Sequence, residues 1–226
     1  MRLGLLGGSF NPIHRCHLSI ARSARQLLQL DRHAAKPIWI STVTRRVSAR
    51  SNCNRHRMVQ LAIQDTPEFA LTDIEIQRSG KSYSIDTVRA IQQEYGPDTV
   101  LFFIIGLDAF LDLPSWKEAD TLLKSCHFVV ISRPSTSFQA MAAIPLFRDV
   151  PQTTLTALDE VRQERADVAI TNGQALTFLR LPPCDVSASE IRARLRSGAS
   201  LANLLPTPVE SYILREGLYR EDSERL

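Results

Sequence analysis

Val100-Leu101-Phe102-Phe103-Ile104-Ile105 is the most continuous apolar run in the chain, and it limits the fold more than any other feature. Successive side chains of a strand point to opposite faces, so six apolar residues in a row cannot sit on a sheet with one wet side. A strand buried on both faces belongs inside a parallel sheet with helices above and below it. Arg2 to Leu6, Ile38-Trp39-Ile40 and Phe128-Val129-Val130-Ile131 are further short apolar runs of this kind. Helical stripes separate them: Ala21, Ala24, Leu27 and Leu28 follow the first, and Ile85, Val88 and Ile91 precede Val100. Strands alternating with helices predict an α/β chain with a doubly wound, mostly parallel sheet and helices on both faces.

Smaller segments add detail. Phe69-Ala70-Leu71 and Ile74-Glu75-Ile76 read as a short strand pair, and Val168 to Thr171 and Leu176 to Leu181 as two later strands. Ser84 is placed as the N-cap of the helix that carries Ile85 and Val88. Thr42 to Arg57, with arginines at 45, 46, 50, 55 and 57, reads as an exposed loop or a basic lid, and Ser135 to Ala166 as an excursion containing a helix over Leu155 to Arg165. No repeat or linker divides the 226 residues, so one domain over 1–226 is expected, with 188–219 as its C-terminal helical part.

Composition excludes several classes. A net charge of +3 is too weak to argue for nucleic acid and suits small anionic ligands. No apolar run approaches the length of a membrane span, and no signal peptide is read, so a cytoplasmic protein is expected. Cys16, Cys53, Cys126 and Cys184 are far apart and form no C-x-x-C pair, which predicts free thiols.

Two stretches carry chemistry. Gly7-Gly8-Ser9-Phe10-Asn11-Pro12-Ile13 links the first strand to the first helix, where glycines allow close backbone approach to an anion and the helix start adds partial positive charge. His14 and His17, three apart, fall on one face of that helix start. No third ligand follows them at metal-site spacing, so a phosphate is the expected partner and no metal site is assigned. The loop is neither G-x-x-x-x-G-K-[ST] nor G-x-G-x-x-G. The second stretch is Val186-Ser187-Ala188-Ser189-Glu190-Ile191-Arg192. Ser187 and Glu190 have capping-box spacing, and Ser189 and Arg192 stand in the same first turn, where free N–H groups meet anions.

Gly7-Gly8-Ser9-Phe10-Asn11-Pro12-Ile13-His14-Arg15-Cys16-His17 resembles the GG[ST]F[DN]PxHxGH signature of the nucleotidylyltransferase superfamily, and in particular that of bacterial nicotinate-nucleotide adenylyltransferases. Cys16 stands where the signature has glycine. Ser187, Ser189 and Arg192 match the superfamily's ISSTxxR motif, with Ala188 in place of a serine. Ser82-Tyr83-Ser84-Ile85-Asp86-Thr87 is similar to SYTIDT, and Gly106-x-Asp108 with Leu113-Pro114-x-Trp116 is similar to GADAxxxLPxW. His56-Arg57-Met58-Val59-x-Leu61-Ala62 resembles the family's HR-containing helix. The family's Pro-Pro-His-Lys stretch after the second strand is absent; Arg45 or Arg46 is the candidate substitute cation.

The resemblance implies a Rossmann-like fold and transfer of AMP from ATP to nicotinate mononucleotide, with Mg²⁺, in NAD biosynthesis. It assigns catalysis to His14, His17 and Arg192. ATP is assigned to Gly7, Gly8, Ser9, Phe10, His14, His17, Arg133, Ser187, Ser189 and Arg192, and the nicotinate nucleotide to Ser84, Gly106, Asp108 and Trp116. The sequence leaves open nicotinamide mononucleotide or another phosphate acceptor as substrate, a nucleotide-binding protein without catalysis, and a homo-oligomer. The expected partners are small molecules, with neither nucleic acid nor membrane among them.

Overall fold

A computed structural model describes residues 1–30, 38–42, 49–78, 81–132, 136–170 and 174–220. Among the described residues seven strands form one sheet: β1 (Arg2–Gly8), β2 (Ile38–Thr42), β3 (Phe69–Leu71), β4 (Val100–Gly106), β5 (His127–Ile131), β6 (Arg165–Ala169) and β7 (Ala175–Leu179). Their order is β3-β2-β1-β4-β5-β7-β6, and only β6 runs antiparallel, against β7. The expected doubly wound sheet is thus observed. The chain leaves β1 toward β2 and β3, then returns to place β4 on the other side of β1. That reversal opens a crevice beyond the carboxyl ends of β1 and β4, the place where open α/β sheets bind ligands.

The run 100–105 fulfils its pattern. Phe102 and Ile104 join the core on the first face, while Leu101, Phe103 and Ile105 join the core on the second. In β5, Phe128 and Val130 alternate in the same way with Val129 and Ile131. The first face is covered by α1 (Arg15–Leu27), α2 (Ala49–Ile63), α8 (Ala188–Ser197) and α9 (Thr207–Arg215), through residues such as Leu18, Ala21, Met58, Val59, Ile191, Val209 and Ile213. The second face is covered by α4 (Ser84–Tyr95), α5 (Leu107–Leu111), α6 (Ala119–Ser125) and α7 (Gln152–Asp159), through Ile85, Val88, Phe110, Leu122 and Leu155. Fully burying one such side chain contributes about 1.5–3 kcal/mol, so the two cores carry most of the fold's stabilisation.

The structure corrects several expectations. Ile74–Gln77 is a one-turn helix, α3, because Asp73 accepts from the N–H groups of Ile76 and Gln77 and closes a turn where a strand was expected. Ser84 is the first residue of α4 and Tyr83 is its N-cap. The later part of the arginine-rich 42–57 segment is the first half of α2. Arg45 and Arg46 lie outside the described residues. Region 135–166 is no loose excursion: short 3-10 turns over Phe138–Ala143 and Pro145–Phe147 join α7, and bury Phe138, Met141, Phe147, Val150 and Leu158 against the second face. The carboxylate of Asp159 ties this unit together by accepting from the N–H groups of Phe138 (2.8 Å) and Gln139 (3.0 Å).

The cysteines are corrected too. Cys16 and Cys184 form a disulfide with a Cα–Cα distance of 5.8 Å, while Cys53 and Cys126 are free thiols. A sequence separation of 168 hid the pairing, because it is the sheet that brings α1 beside the segment leading to α8.

Candidate active site

β1 ends in Gly7 and Gly8, both within the strand. Their lack of a side chain serves close approach. A Cβ on Gly8 would stand 2.9 Å from the Phe10 ring, and one on Gly7 would stand 3.1 Å from the Phe103 ring. Neither is among the positive-φ glycines; the turn is made at Phe10, with φ 43°. A non-glycine residue adopts that conformation at a cost of order 1–3 kcal/mol and persists only where surroundings hold it. Here Phe10 is 1% exposed, packed in the first core.

The chain then turns into α1 with His14 as N-cap. As expected, His14 and His17 share a face: their ring centroids are 3.8 Å apart. The backbone N–H of His14 donates to Nδ1 of His17 at 3.2 Å. An accepting Nδ1 is unprotonated, so a neutral His17 ring carries its proton on Nε2. The edge of Phe10 holds the other side of that ring, with centroids 4.9 Å apart.

Arg192 reaches the same place from α8. Its Nη1 donates to the Asn11 carbonyl at 2.6 Å and its Nη2 to Ser189 Oγ at 3.3 Å. Ser187 caps α8 by accepting from the Glu190 N–H at 3.1 Å, and the Glu190 carboxylate turns to Arg194. The two motifs, at opposite ends of the sequence, therefore meet at Asn11. Tyr219 closes the arrangement: its hydroxyl donates to Asn11 Oδ1 at 2.6 Å. Burial pushes the Tyr219 hydroxyl far above its ordinary range, against the opposing pull of Arg192 and Arg55, and keeps it a donor.

Arg55 and Tyr219 are the site residues that the sequence reading missed. Arg55 is 3% exposed and donates to the Ser9 carbonyl at 3.0 Å, to the Ser51 carbonyl, and to Asn52 Oδ1. Burial lowers its pKa, partly offset by Tyr219 and Glu75. Its position relative to Met58, Val59 and Ala62 is i, i+3, i+4 and i+7, so a charged residue on an apolar helical face was the available signal. Arg57, the residue singled out in that helix, is exposed and donates to Gln60 at 2.7 Å.

A cavity of about 620 Å³ opens at the β1/β4 crevice, lined among others by Gly8, Ser9, Arg55, Ser84, Phe103 and Trp116. Trp116 follows a 3-10 turn over Leu113–Ser115 and meets Phe103 edge-on at 6.4 Å. Lys81, Lys117 and Arg55 bring three basic side chains to the lining. Lys117 lies 4.8 Å from the Tyr83 ring and 3.2 Å from Asp86. Gly106 ends β4 and caps α5, while Asp108 stands exposed in the first turn of α5; Ala109 and Asp112 are the α5-side residues that reach the cavity lining. A second cavity of about 490 Å³ lies beyond β5, bounded by Cys16, Ile131, Ser132, Phe138, Leu181 and Cys184 among others. Arg133 lies outside the described residues. Among the described residues no three His, Cys, Asp or Glu side chains are grouped as metal ligands, and no helix is long and apolar enough to cross a membrane.

Residues 5–194 match the family model described as cytidylyltransferase-like. The chain is 38% identical to a probable nicotinate-nucleotide adenylyltransferase of Citrifermentans bemidjiense, covering 97% of this chain and 98% of that protein. It is 39% identical to another so described from Geotalea daltonii, covering 98% and 99%. Among solved structures, the nicotinic acid mononucleotide adenylyltransferase of Plasmodium falciparum complexed with APC superposes with a TM-score of 0.67 at 18% identity, over 96% of each chain, which supports the fold. A mostly parallel sheet with its switch point at β1/β4 accords with these likenesses, and the chain belongs to the cytidylyltransferase-like family and, within it, to the bacterial nicotinate-nucleotide adenylyltransferases.

Proposed function

We propose that this enzyme transfers AMP from ATP to nicotinate mononucleotide, giving deamido-NAD and pyrophosphate. The observation that carries the reading is that Arg192 bonds the carbonyl of Asn11, in the strand-to-helix turn that leads into the His14/His17 pair. A phosphate monoester is already an anionic nucleophile. One of its oxygens attacks the α-phosphorus of ATP in line, a P–O bond forms, the α–β bond breaks, and pyrophosphate leaves with that electron pair. Such a reaction asks the protein for position and charge stabilisation more than for covalent chemistry.

In this reading His17 donates from Nε2 to the α-phosphate, where charge grows in the transition state, and His14 stands beside it. Arg192, with Ser187 and Ser189 at the start of α8, holds the departing β and γ phosphates. Mg²⁺ would enter with ATP as its counter-ion and would supply positive charge against the polyphosphate. Adenosine takes the second cavity, where Ile131 and Phe138 offer apolar walls and Ser132 a hydroxyl.

The nicotinate nucleotide takes the first cavity, with its ring against Trp116 and its carboxylate near Ser84. Lys81, Lys117 and Arg55 favour an acid over the neutral amide and leave a cation for the mononucleotide phosphate. The test compares nicotinate and nicotinamide mononucleotides at equal concentration with ATP and Mg²⁺, identifying the dinucleotide by mass. Strong preference for the acid is expected. Equal use of both would overturn the assigned specificity, and no dinucleotide from either would overturn the activity.

A further inference from the structure

Cys16 and Cys184 stand on two different walls of the second cavity. Cys16 is the second residue of α1, between His14 and His17, and is 1% exposed. Cys184 is exposed, in an irregular segment three residues before Ser187, the cap of α8. Their bond therefore ties the helix start that carries the histidines to the segment that positions Ser189 and Arg192. Elsewhere these two parts are joined by the Arg192 to Asn11 hydrogen bond.

We infer that Cys16 and Cys184 form a reversible redox modification site that sets the affinity for ATP, an inference that rests on the placement of adenosine in the second cavity. Bonded sulfurs sit about 2 Å apart, whereas two free thiols must separate to a contact distance of about 3.5–4 Å. Opening the bond parts the two walls and widens the cleft that a nucleotide must enter. Closing it narrows that cleft and fixes the spacing of the two phosphate-binding helix starts. The reduced form binds ATP more tightly than the oxidised form.

Exposure orders the chemistry. The Cys184 thiolate attacks one sulfur of a low-molecular-weight disulfide, forms a mixed disulfide and expels one thiol. Cys16, buried beside it, then attacks Cys184 Sγ and expels the second thiol. The two cysteines lose two electrons and two protons, and the small disulfide takes them up as two thiols. An excess of small thiol reverses both steps. Of the two other cysteines, Cys126 is fully buried, with its thiol pKa pushed far up by burial, while Cys53 is exposed on α2 and can take up glutathione as a mixed disulfide, a reaction that Cys184→Ser leaves in place as a control.

The test uses the whole chain, equilibrated either with oxidised glutathione or with dithiothreitol that is then removed. Peptide mapping after alkylation reads the bond, and calorimetric titration with ATP and Mg²⁺, without acceptor, reads the affinity. The expected result is a Cys16–Cys184 peptide only in the oxidised sample, with ATP bound about tenfold more weakly there, and recovery on reduction. Cys184→Ser binds ATP equally with and without oxidant. Equal affinity in both states, with the bond mapped as closed and open, overturns the switch, as does an oxidant effect that persists in Cys184→Ser. Failure of both states to bind ATP contradicts the adenylyltransferase reading itself.

Discussion

Arg192 donates from Nη1 to the carbonyl oxygen of Asn11 at 2.6 Å, joining residues 181 positions apart. That bond holds a guanidinium from the last third of the chain over the turn that precedes His14. Together with the Nη2 bond to Ser189 Oγ it commits two of the five donors to the protein, which fixes the plane of the remaining ones.

Replacing this group separates charge from geometry. Arg192→Lys keeps a cation but cannot bridge Asn11 and Ser189 with one planar fork. We expect kcat/KM for ATP to fall about 10²-fold or more in Arg192→Ala, and Arg192→Lys to recover part of that loss. Steady-state kinetics at saturating nicotinate mononucleotide measure it, and full recovery by lysine would contradict a role for the fork.

Gly8→Ala tests the packing account of the glycine turn. The new methyl would stand 2.9 Å from a Phe10 ring that is itself buried, so the ring cannot retreat without disturbing the first core. Overpacking of this kind costs about 1–3 kcal/mol. Urea unfolding should show that loss at an unchanged m-value. Wild-type stability in the variant would show that the glycine serves only ligand approach.

His127 gives stability a defined pH dependence. Its Nδ1 accepts from the Ala175 N–H at 3.1 Å, and its ring stacks on Phe102 at 5.0 Å. Burial first, and Arg2 second, hold its pKa below the ordinary 6.5. The unfolded chain therefore takes up a proton as the pH falls through 6.5 while the folded chain does not, so stability declines from there toward the lower folded pKa and is level above it. His56, also lowered by burial, contributes with the same sign. His127→Gln should show a shallower decline between neutral and mildly acidic pH in chemical denaturation. An identical slope would place the effect elsewhere.

The sheet was legible because two-sided burial leaves an apolar run with few alternatives, and the stretches 7–17 and 186–192 were legible as motifs because each is local in sequence. What escaped was what only the fold assembles. Arg55 looked like one arginine among five in a basic segment until α2 turned it inward. Tyr219, close to the end of the chain, reaches Asn11 across 208 positions. The Cys16–Cys184 bond likewise depends on β5 and β7 bringing two distant segments together. Ile74–Gln77 misled for a different reason: alternation over three residues fits a strand as well as a single helical turn, and the capping backbone of Asp73 decided between them.

The central claim, that His14, His17 and Arg192 form the centre of adenylyl transfer, is tested most directly by His17→Ala. Pyrophosphate release from ATP with nicotinate mononucleotide and Mg²⁺ is the measurement, with circular dichroism confirming the fold. Removing a donor aimed at growing phosphate charge should lower turnover by about 10²–10³-fold with folding intact. Unchanged turnover in a folded variant would contradict the account.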